Sequence, residues 1–385
     1  MSLPLEYSDV RLNYDPSAPQ ERFRKAGLEA AFSQPSDLLP TEPPWPSDGV
    51  PTPRTLSPAP AEGDDLSRFA GYDVVMMTWT AAEAAAMATL LTPGHPTSTW
   101  YEYRHNIAAW IPKVTGADAP FNESSKEMVR YYHSLGLYFP CTIGGAKVLL
   151  FKSGLHLDYD GPQTPVKALV QEIVNTVKPK VLITTGTGGG IGAEVKLSDV
   201  AAPASVRFDC TGQFETEPWS KQVLKTSALP AGTLEKITPA LLKTNAQRVP
   251  NARAVPKIWT GATNDIVTTD VFAFDDSTDF YKLQGLGVVC DMGDAMVGLA
   301  VQGTAGLTWH AVRNASDPQI ANPNHNIQEA DTQAAQIYAK YGGLTTAASL
   351  ITSWAIVYAQ FGGQEITDAE GLDGSALKLG RQPRK

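Results

Sequence analysis

Short apolar runs alternate with amphipathic segments from residue 72 onward, and this alternation limits the possible folds more than any other feature. A buried strand followed by a crossover helix gives this pattern when helices cover both faces of a sheet. The chain is therefore predicted to form an α/β domain. The candidate strands are residues 73–78, 147–151, 181–184, 288–290 and 307–313.

The helices are predicted from their start signals and from the spacing of their apolar residues. Thr80, with Glu83 three residues later, is a capping box that begins a helix over residues 81–91. Pro165 begins a second helix whose apolar residues recur at helical spacing. A helix rich in small residues begins near Gly293. Two further helices are predicted near the C-terminus, over residues 328–341 and 344–361.

Composition divides the chain into three parts. Residues 1–68 are rich in proline, which prevents a sustained helix or central strand. They form either a disordered leader or an arm anchored by Trp45 and Leu56. Residues 69–365 form the domain, with residues 95–146 as an aromatic insertion packed on the core, and residues 366–385 form a C-terminal tail.

Charge and cysteine content exclude several classes of function. The net charge of −9 provides no positive field that would attract nucleic acid or an anionic membrane. The three cysteines lie far apart, which argues against a disulfide framework and a structural zinc site. No export signal is visible at the N-terminus. We expect a cytoplasmic protein that uses no metal and no cofactor.

Two strand ends carry the candidate chemistry. The run VLITTGTGGG, residues 181–190, is a strand predicted to end in a glycine loop that exposes backbone N–H groups at the carboxyl edge of the sheet. Ligands bind at that edge in open α/β sheets. Asp317 follows the last predicted strand, at the same edge. Burial there would raise the pKa of its carboxyl group and make it a proton donor.

Several motifs in this order resemble the nucleoside phosphorylases and the methylthioadenosine/S-adenosylhomocysteine-type nucleosidases. The resemblance covers roughly residues 72–360, apart from the insertion, and implies a single three-layer α/β/α domain with a mixed central sheet. The matching elements are the first strand with Glu83, the KSG of residues 152–154, the TGTGG of residues 185–189, the DMGD of residues 291–294, and Ser316 with Asp317.

The resemblance implies a role for each matching residue. Asp317, next to Ser316, would protonate N7 of a purine, and Glu83 would orient or deprotonate the attacking water. The residues expected to bind the nucleoside are Thr187, Gly188 and Gly189 on its sugar and nucleophile side, Phe272 stacked on the base, and Met292 against the sugar. Glu83 has an alternative role as a simple helix cap, and Phe272 and Met292 as core residues.

One motif departs from the family pattern. The second acid of the family's ribose-binding segment falls on Gly293, and the nearest carboxylates are Asp291 and Asp294. A shifted contact from Asp294, an altered sugar such as deoxyribose, or loss of catalysis are all consistent with this difference.

Water is favoured over phosphate as the nucleophile, because the family's two phosphate-binding arginines have no counterpart in the first loop or before the glycines. The predicted function is therefore a nucleosidase acting on a small nucleoside, and pockets completed across subunits in the family suggest a homodimer or higher homo-oligomer. The alternatives are a phosphorylase with phosphate-binding arginines elsewhere, such as Arg207 or Arg313, and a non-catalytic nucleoside-binding protein.

Overall fold

Strands from both halves of the chain join one mixed sheet in a computed structural model that describes residues 43–115, 134–155, 164–246, 249–250 and 252–363. The strands are β1 (Thr52–Pro53), β2 (Val74–Thr78), β3 (Tyr101–Tyr103), β4 (Gly136–Ile143), β5 (Ala146–Ser153), β6 (Val181–Gly190), β7 (Val200–Pro203), β8 (Ser205–Phe208), β9 (Val223–Lys225), β10 (Ile258–Gly261), β11 (Ile266–Thr268), β12 (Val289–Asp291) and β13 (Thr308–Asp317). The helices are α1 (Ala81–Leu91), α2 (Ile107–Thr115), α3 (Pro165–Val177), α4 (Thr233–Lys236), α5 (Pro239–Ala246), α6 (Asp294–Val301) and α7 (Ile327–Phe361).

The main path through the sheet runs β1-β4-β5-β2-β6-β12-β11-β8-β9. Strand β6 pairs in parallel with β2 and β13, and antiparallel with β12. Strand β13 also pairs antiparallel with β7. The sheet is therefore mixed, with its carboxyl edge around β2, β6 and β13.

Helices cover both faces of the sheet. On one face α3 and α6 pack together, and their apolar residues form one core with strand residues such as Leu182. On the other face α7 packs on α1, and both contribute to a second core that includes Ile183. Neighbouring residues of β6 thus enter different cores, as the alternation of side chains along a strand requires. The predicted three-layer α/β/α fold with a mixed sheet is confirmed.

The first predicted helix begins and ends where the sequence indicated. Thr80 accepts a hydrogen bond from the backbone N–H of Glu83, and the Glu83 carboxylate accepts one from the backbone N–H of Thr80. This capping box satisfies two backbone N–H groups that have no partner inside the helix.

The C-terminal helix differs from its prediction. A single helix of 35 residues, α7, replaces the two predicted helices of residues 328–341 and 344–361. Glycine costs a helix up to about 1 kcal/mol per residue relative to alanine, but Gly342 and Gly343 are both buried here. A Cβ on Gly342 would lie 3.0 Å from the Tyr338 ring. Burial of the second half of α7 thus outweighs the local preference of these glycines.

The segments outside the predicted core add to the sheet. In the N-terminal arm, β1 pairs with β4, Leu56 is buried, and the Trp45 ring lies 4.8 Å from that of Trp354. The aromatic insertion supplies β3 and β4, so part of it extends the sheet as well as packing on it. Residues 1–42 and the tail of residues 366–385 lie outside the described residues. The predicted domain boundaries stay predictions.

Among the described helices, none combines the length and the hydropathy that a membrane span needs.

Candidate active site

Strand β6 changes its neighbour halfway along, and this change creates a gap at the sheet's carboxyl edge. Residues 181–184 pair with β2, whereas Gly189 and Gly190 pair with β12. Residues 185–188 have neither partner on that side, although β13 continues along the other side. The predicted glycine loop is therefore wrong in one respect, because the glycines continue the strand.

Glu83 fills this gap from the first turn of α1. Its Oε1 accepts hydrogen bonds from the backbone N–H and the hydroxyl of Thr187, both at 2.7 Å. Its Oε2 accepts from the Thr78 hydroxyl at 2.7 Å and from the backbone N–H groups of Trp79 and Thr80. Burial raises the pKa of Glu83, but the Arg313 charge and these hydrogen bonds outweigh burial, and the pKa lies below its ordinary value. Glu83 is thus both the helix cap and part of the site.

Arg313 lies beneath this gap and contacts three carboxylates, which we call the arginine cluster (Arg313, Glu83, Asp291 and Asp294). Its Nε and Nη2 donate to the two oxygens of Asp294, each at 2.8 Å. Its Nη2 lies 3.2 Å from Asp291 Oδ2, and its Nη1 lies 3.6 Å from Glu83 Oε1. The guanidinium also lies over the Trp79 ring, 4.7 Å from the ring centroid. All four charged side chains of the cluster are buried.

One guanidinium cannot neutralise three carboxylates, and the uncompensated negative charge favours the protonated form of Asp291. Burial and the neighbouring Asp294 carboxylate raise the pKa of Asp291, and Arg313 only partly opposes this shift. The Thr268 hydroxyl and the backbone N–H groups of Gly293 and Asp294 also donate to Asp291. These donors hold Asp291 at the start of α6.

Asp317 ends β13 beyond an irregularity in its pairing with β6. Its side chain is buried, and no lysine or arginine of the described residues forms an ion pair with it. Burial raises the pKa of Asp317 to about 7, although the Ser316 hydroxyl, which donates to Oδ1 at 2.9 Å, acts in the opposite direction. An aspartate in this state holds a proton near neutral pH.

The glycines of β6 allow other groups to approach the strand closely. A Cβ on Gly188 would collide with the backbone oxygen of Cys290, and one on Gly189 would lie 3.0 Å from Asp317 Oδ2. At Gly186, where φ is +155°, a Cβ would collide with the Glu83 carboxylate. The run of glycines therefore allows the carboxyl groups of Glu83 and Asp317 to pack directly against β6.

The predicted site residues fall into two groups. Most of them meet around the end of β6: Glu83, Thr187, Gly188, Gly189, Asp291, Asp294, Ser316 and Asp317. The second group is Met292 and Phe272. Met292 lies between Asp291 and Asp294 in the chain and is buried. Phe272 is half-buried and packs beside Phe274 and Ile320. The roles of all these residues in binding and catalysis stay predictions.

Sequence reasoning missed two residues of this region. Arg313 was considered only as a phosphate ligand, but its donors are occupied by carboxylates and by the Thr187 carbonyl oxygen. The other is Trp79, whose backbone N–H donates to Glu83 and whose ring packs on Arg313. A signal for Arg313 was present, because an arginine inside a strand predicted to be buried requires a carboxylate partner.

Within the described residues, no group of three or more His, Cys, Asp or Glu side chains is placed to hold a metal ion.

Comparison with known proteins gives one match to a family and several to structures. The sequence model described as the phosphorylase superfamily matches residues 105–342, more than half of the chain. No curated protein matches the chain by sequence.

Three of the similar solved structures illustrate the structural matches. A 5′-methylthioadenosine/S-adenosylhomocysteine nucleosidase from Neisseria meningitidis is 14% identical, with a TM-score of 0.43 over 74% of this chain and 98% of that one. The corresponding nucleosidase from Colwellia psychrerythraea, in complex with adenine, is 12% identical, with a TM-score of 0.43 over 75% and 96%. A futalosine hydrolase from Helicobacter pylori is 13% identical, with a TM-score of 0.41 over 73% and 97%.

Proposed function

Since the chain belongs to the phosphorylase superfamily, we propose that it is a nucleosidase that hydrolyses the N-glycosidic bond of a purine-type nucleoside. The observation that carries the proposal is Asp317, a buried carboxyl group at the end of β13 with a pKa raised to about 7. It lies against Gly189, at the sheet edge where open α/β sheets bind ligands.

Asp317 is the general acid of the proposed reaction. Near neutral pH it holds a proton that it donates to N7 of the purine as the glycosidic bond breaks. The base then leaves as a neutral molecule, and the electron pair of the broken bond goes with it. General acid catalysis of this kind contributes about 10²–10⁴-fold to the rate. The Ser316 hydroxyl holds the Asp317 carboxyl group in position.

Glu83 and Thr187 act on the water side. Thr187 and Gly189 are two residues apart on β6, a separation of about 7 Å along a strand, which leaves room for a sugar between the acid and the water. Glu83 accepts five hydrogen bonds and has a lowered pKa, which suits a group that orients water through Thr187 better than one that removes its proton. The proton of the attacking water then passes to solvent.

The charges at the site favour water over phosphate as the nucleophile. Arg313 is surrounded by carboxylates, and within the described residues each of its three nitrogens already donates to an acceptor, which leaves it poorly placed to bind an incoming dianion. The ionised Glu83 would also repel phosphate at the position of attack. In this proposal Met292, Asp291 and Asp294 border the sugar side, and Phe272 stacks on the base.

The test is base release, measured by HPLC, from methylthioadenosine, adenosine, inosine, guanosine and their deoxy forms, with and without phosphate. Wild type should release base independently of phosphate, and Asp317→Asn should lower kcat by about 10²–10⁴-fold. Asp209→Asn is the matched control, since Asp209 pairs with the exposed Lys221 at the surface. It should leave turnover unchanged.

Two results would reject the nucleosidase. Release only in the presence of phosphate would identify a phosphorylase. Nucleoside binding without any release would identify a binding protein of the same fold. The predictions of a homodimer or higher homo-oligomer and of a cytoplasmic location are separate from this test.

A further inference from the structure

The Trp79 side chain is buried but its indole N–H has no acceptor. Only 1% of the residue is exposed, and Nε1 has no hydrogen-bond partner among the described residues. An unsatisfied buried donor is costly, and such groups in native proteins usually have a reason. The ring is held in place, because the Trp79 backbone N–H donates to Glu83 and its indole packs on Arg313.

Two carbons of the indole ring, next to this N–H, lie close to Gly293. Trp79 Cε2, the carbon bonded to Nε1, and Cζ2 both lie 3.6 Å from the position that a Cβ on Gly293 would occupy. This is an ordinary contact distance, and the φ of −159° at Gly293 is open to any residue. Neither a clash nor backbone strain requires glycine here. Its effect is to leave the ring carbons next to the Trp79 N–H without a side chain from residue 293 against them.

The charged groups around this edge are already engaged. Nε and Nη2 of Arg313 donate to Asp294, and its Nη1 donates to the Thr187 carbonyl oxygen at 3.3 Å. Asp291 accepts from Thr268 and from two backbone N–H groups. Among the described residues, the hydrogen-bonding group that remains unpaired near Gly293 is therefore a neutral donor, the Trp79 N–H.

We propose that Trp79 determines specificity for the sugar, through an indole N–H that donates to one of its oxygens. The inference rests on the proposed function, which puts the sugar between Asp317 and the Glu83–Thr187 pair, and the Trp79 backbone N–H donates to that Glu83 carboxylate. A donor at this point requires an oxygen that accepts. It therefore binds a hydroxyl or an ether oxygen equally, whereas a carboxylate at the same point would require a hydroxyl that donates.

The chemistry gives a signature that a carboxylate site would not produce. Replacing the recognised hydroxyl by hydrogen removes the acceptor and should lower kcat/KM by about tenfold, as expected for one hydrogen bond. Replacing it by O-methyl keeps the acceptor. The O-methyl substrate should therefore stay within about threefold of the ribonucleoside.

The experiment measures kcat/KM for the ribo, 2′-deoxy, 3′-deoxy, 2′-O-methyl and 3′-O-methyl forms of the best substrate. Trp79→Phe removes the N–H and keeps the aromatic ring. It should lower kcat/KM about tenfold for the ribonucleoside, and leave one deoxy form within about twofold of wild type. Trp309→Phe is the matched control, because Trp309 is a buried tryptophan whose Nε1 donates to Thr184. It should change all five substrates by the same factor.

The inference is wrong if Trp79→Phe changes all five substrates alike, or if neither deoxy form is a poorer substrate for wild type. The second result is measured on wild type alone, so it tests the inference even if Trp79→Phe does not fold. If wild type turns over no substrate, the same five compounds are titrated calorimetrically. The predicted order in Kd would then support the Trp79 contact while rejecting the nucleosidase, and the absence of that order would reject both.

Discussion

Glu83 of the arginine cluster and Asp317 lie at the same sheet edge and are both buried acids, but their pKa values shift in opposite net directions, because only Glu83 has a cationic partner among the described residues. In the cluster, Arg313 provides a counter-charge for Glu83 and Asp294. Asp317 is buried without a cationic partner among the described residues. The first arrangement keeps Glu83 ionised, whereas the second keeps a proton on Asp317 near neutral pH.

The contrast shows how one residue type serves two purposes at one site. A buried acid with a counter-charge and several donors is a fixed anion that orients other groups. A buried acid with one hydroxyl partner gives up its proton near neutral pH, the property that a general acid needs. The following predictions test whether the two regions differ in this way.

The largest expected effect is on the folding stability of the cluster. Arg313→Gln leaves three buried carboxylates without a counter-charge. Removing one partner of a buried ion pair costs about 3–5 kcal/mol, and we expect a loss of about 5 kcal/mol here because three acids are affected. Urea denaturation at pH 7.5 measures the free energy of unfolding.

The control is another arginine between two carboxylates. Arg104 contacts Glu62 and Glu102 at the surface, and Arg104→Gln should cost at most about 1 kcal/mol. Equal losses in the two variants would show that the buried cluster is not held by charge.

The next prediction concerns the contribution of Asp317 to the folding stability of the protein as a function of pH. Its pKa is about 7 in the folded protein and ordinarily 3.8. Between these values the folded protein keeps a proton that the unfolded chain has lost, so the stability of wild type falls as pH rises from about 4 to about 7. Asp317→Asn removes this cost. Relative to wild type, the variant should gain about 4 kcal/mol between pH 4 and pH 8.

Asp276→Asn should change the dependence of folding stability on pH in the opposite direction. Burial raises the pKa of Asp276, but hydrogen bonds from Phe280, Asn322 and Thr278 outweigh it and hold the pKa below its ordinary value. Asp276 therefore adds stability above its unfolded pKa that is lost as pH falls, and its removal should harm the protein more at pH 8 than at low pH. If both variants showed the same pH trend, burial would not be what distinguishes Asp317.

The sequence predicts the sheet better than it predicts the long helix. Apolar runs such as residues 181–184 have no alternative to burial, and the capping box of Thr80 and Glu83 gives the start of α1. The continuity of α7 across Gly342 and Gly343 depends on burial against the sheet and α1. The local sequence pattern does not indicate this packing. Local preference is decisive only where tertiary packing does not oppose it.

The site divides in the same way. Asp317 could be predicted at a buried strand end, because its position in the chain determines its environment. The arginine cluster could not, since its members come from α1, β12, α6 and β13 and meet only in the folded protein. Trp79 could not be predicted either, because its importance depends on an unpaired N–H, which the residue type alone does not reveal.

The pH dependence of catalysis gives a smaller and more direct test. If Asp317 is the acid, kcat/KM should fall about tenfold per pH unit above a pKa near 7, because the protonated form is lost. Asp291 also has a raised pKa, so this descending limb of the pH profile does not by itself identify the acid. Asp291→Asn should keep the limb and Asp317→Asn should remove it. The reverse pattern would transfer the role of acid to Asp291.

The smallest expected effect isolates the one hydrogen bond that opposes the protonation of Asp317. The Ser316 hydroxyl donates to Asp317 Oδ1 and favours the ionised form. In Ser316→Ala that stabilisation is lost, so the pKa of Asp317 should rise by about 0.5–1 unit, the equivalent of one hydrogen bond of about 1 kcal/mol. The limb of the kcat/KM profile should move to higher pH by that amount. A limb that stays in place, or moves to lower pH, would mean that a group other than Asp317 controls it.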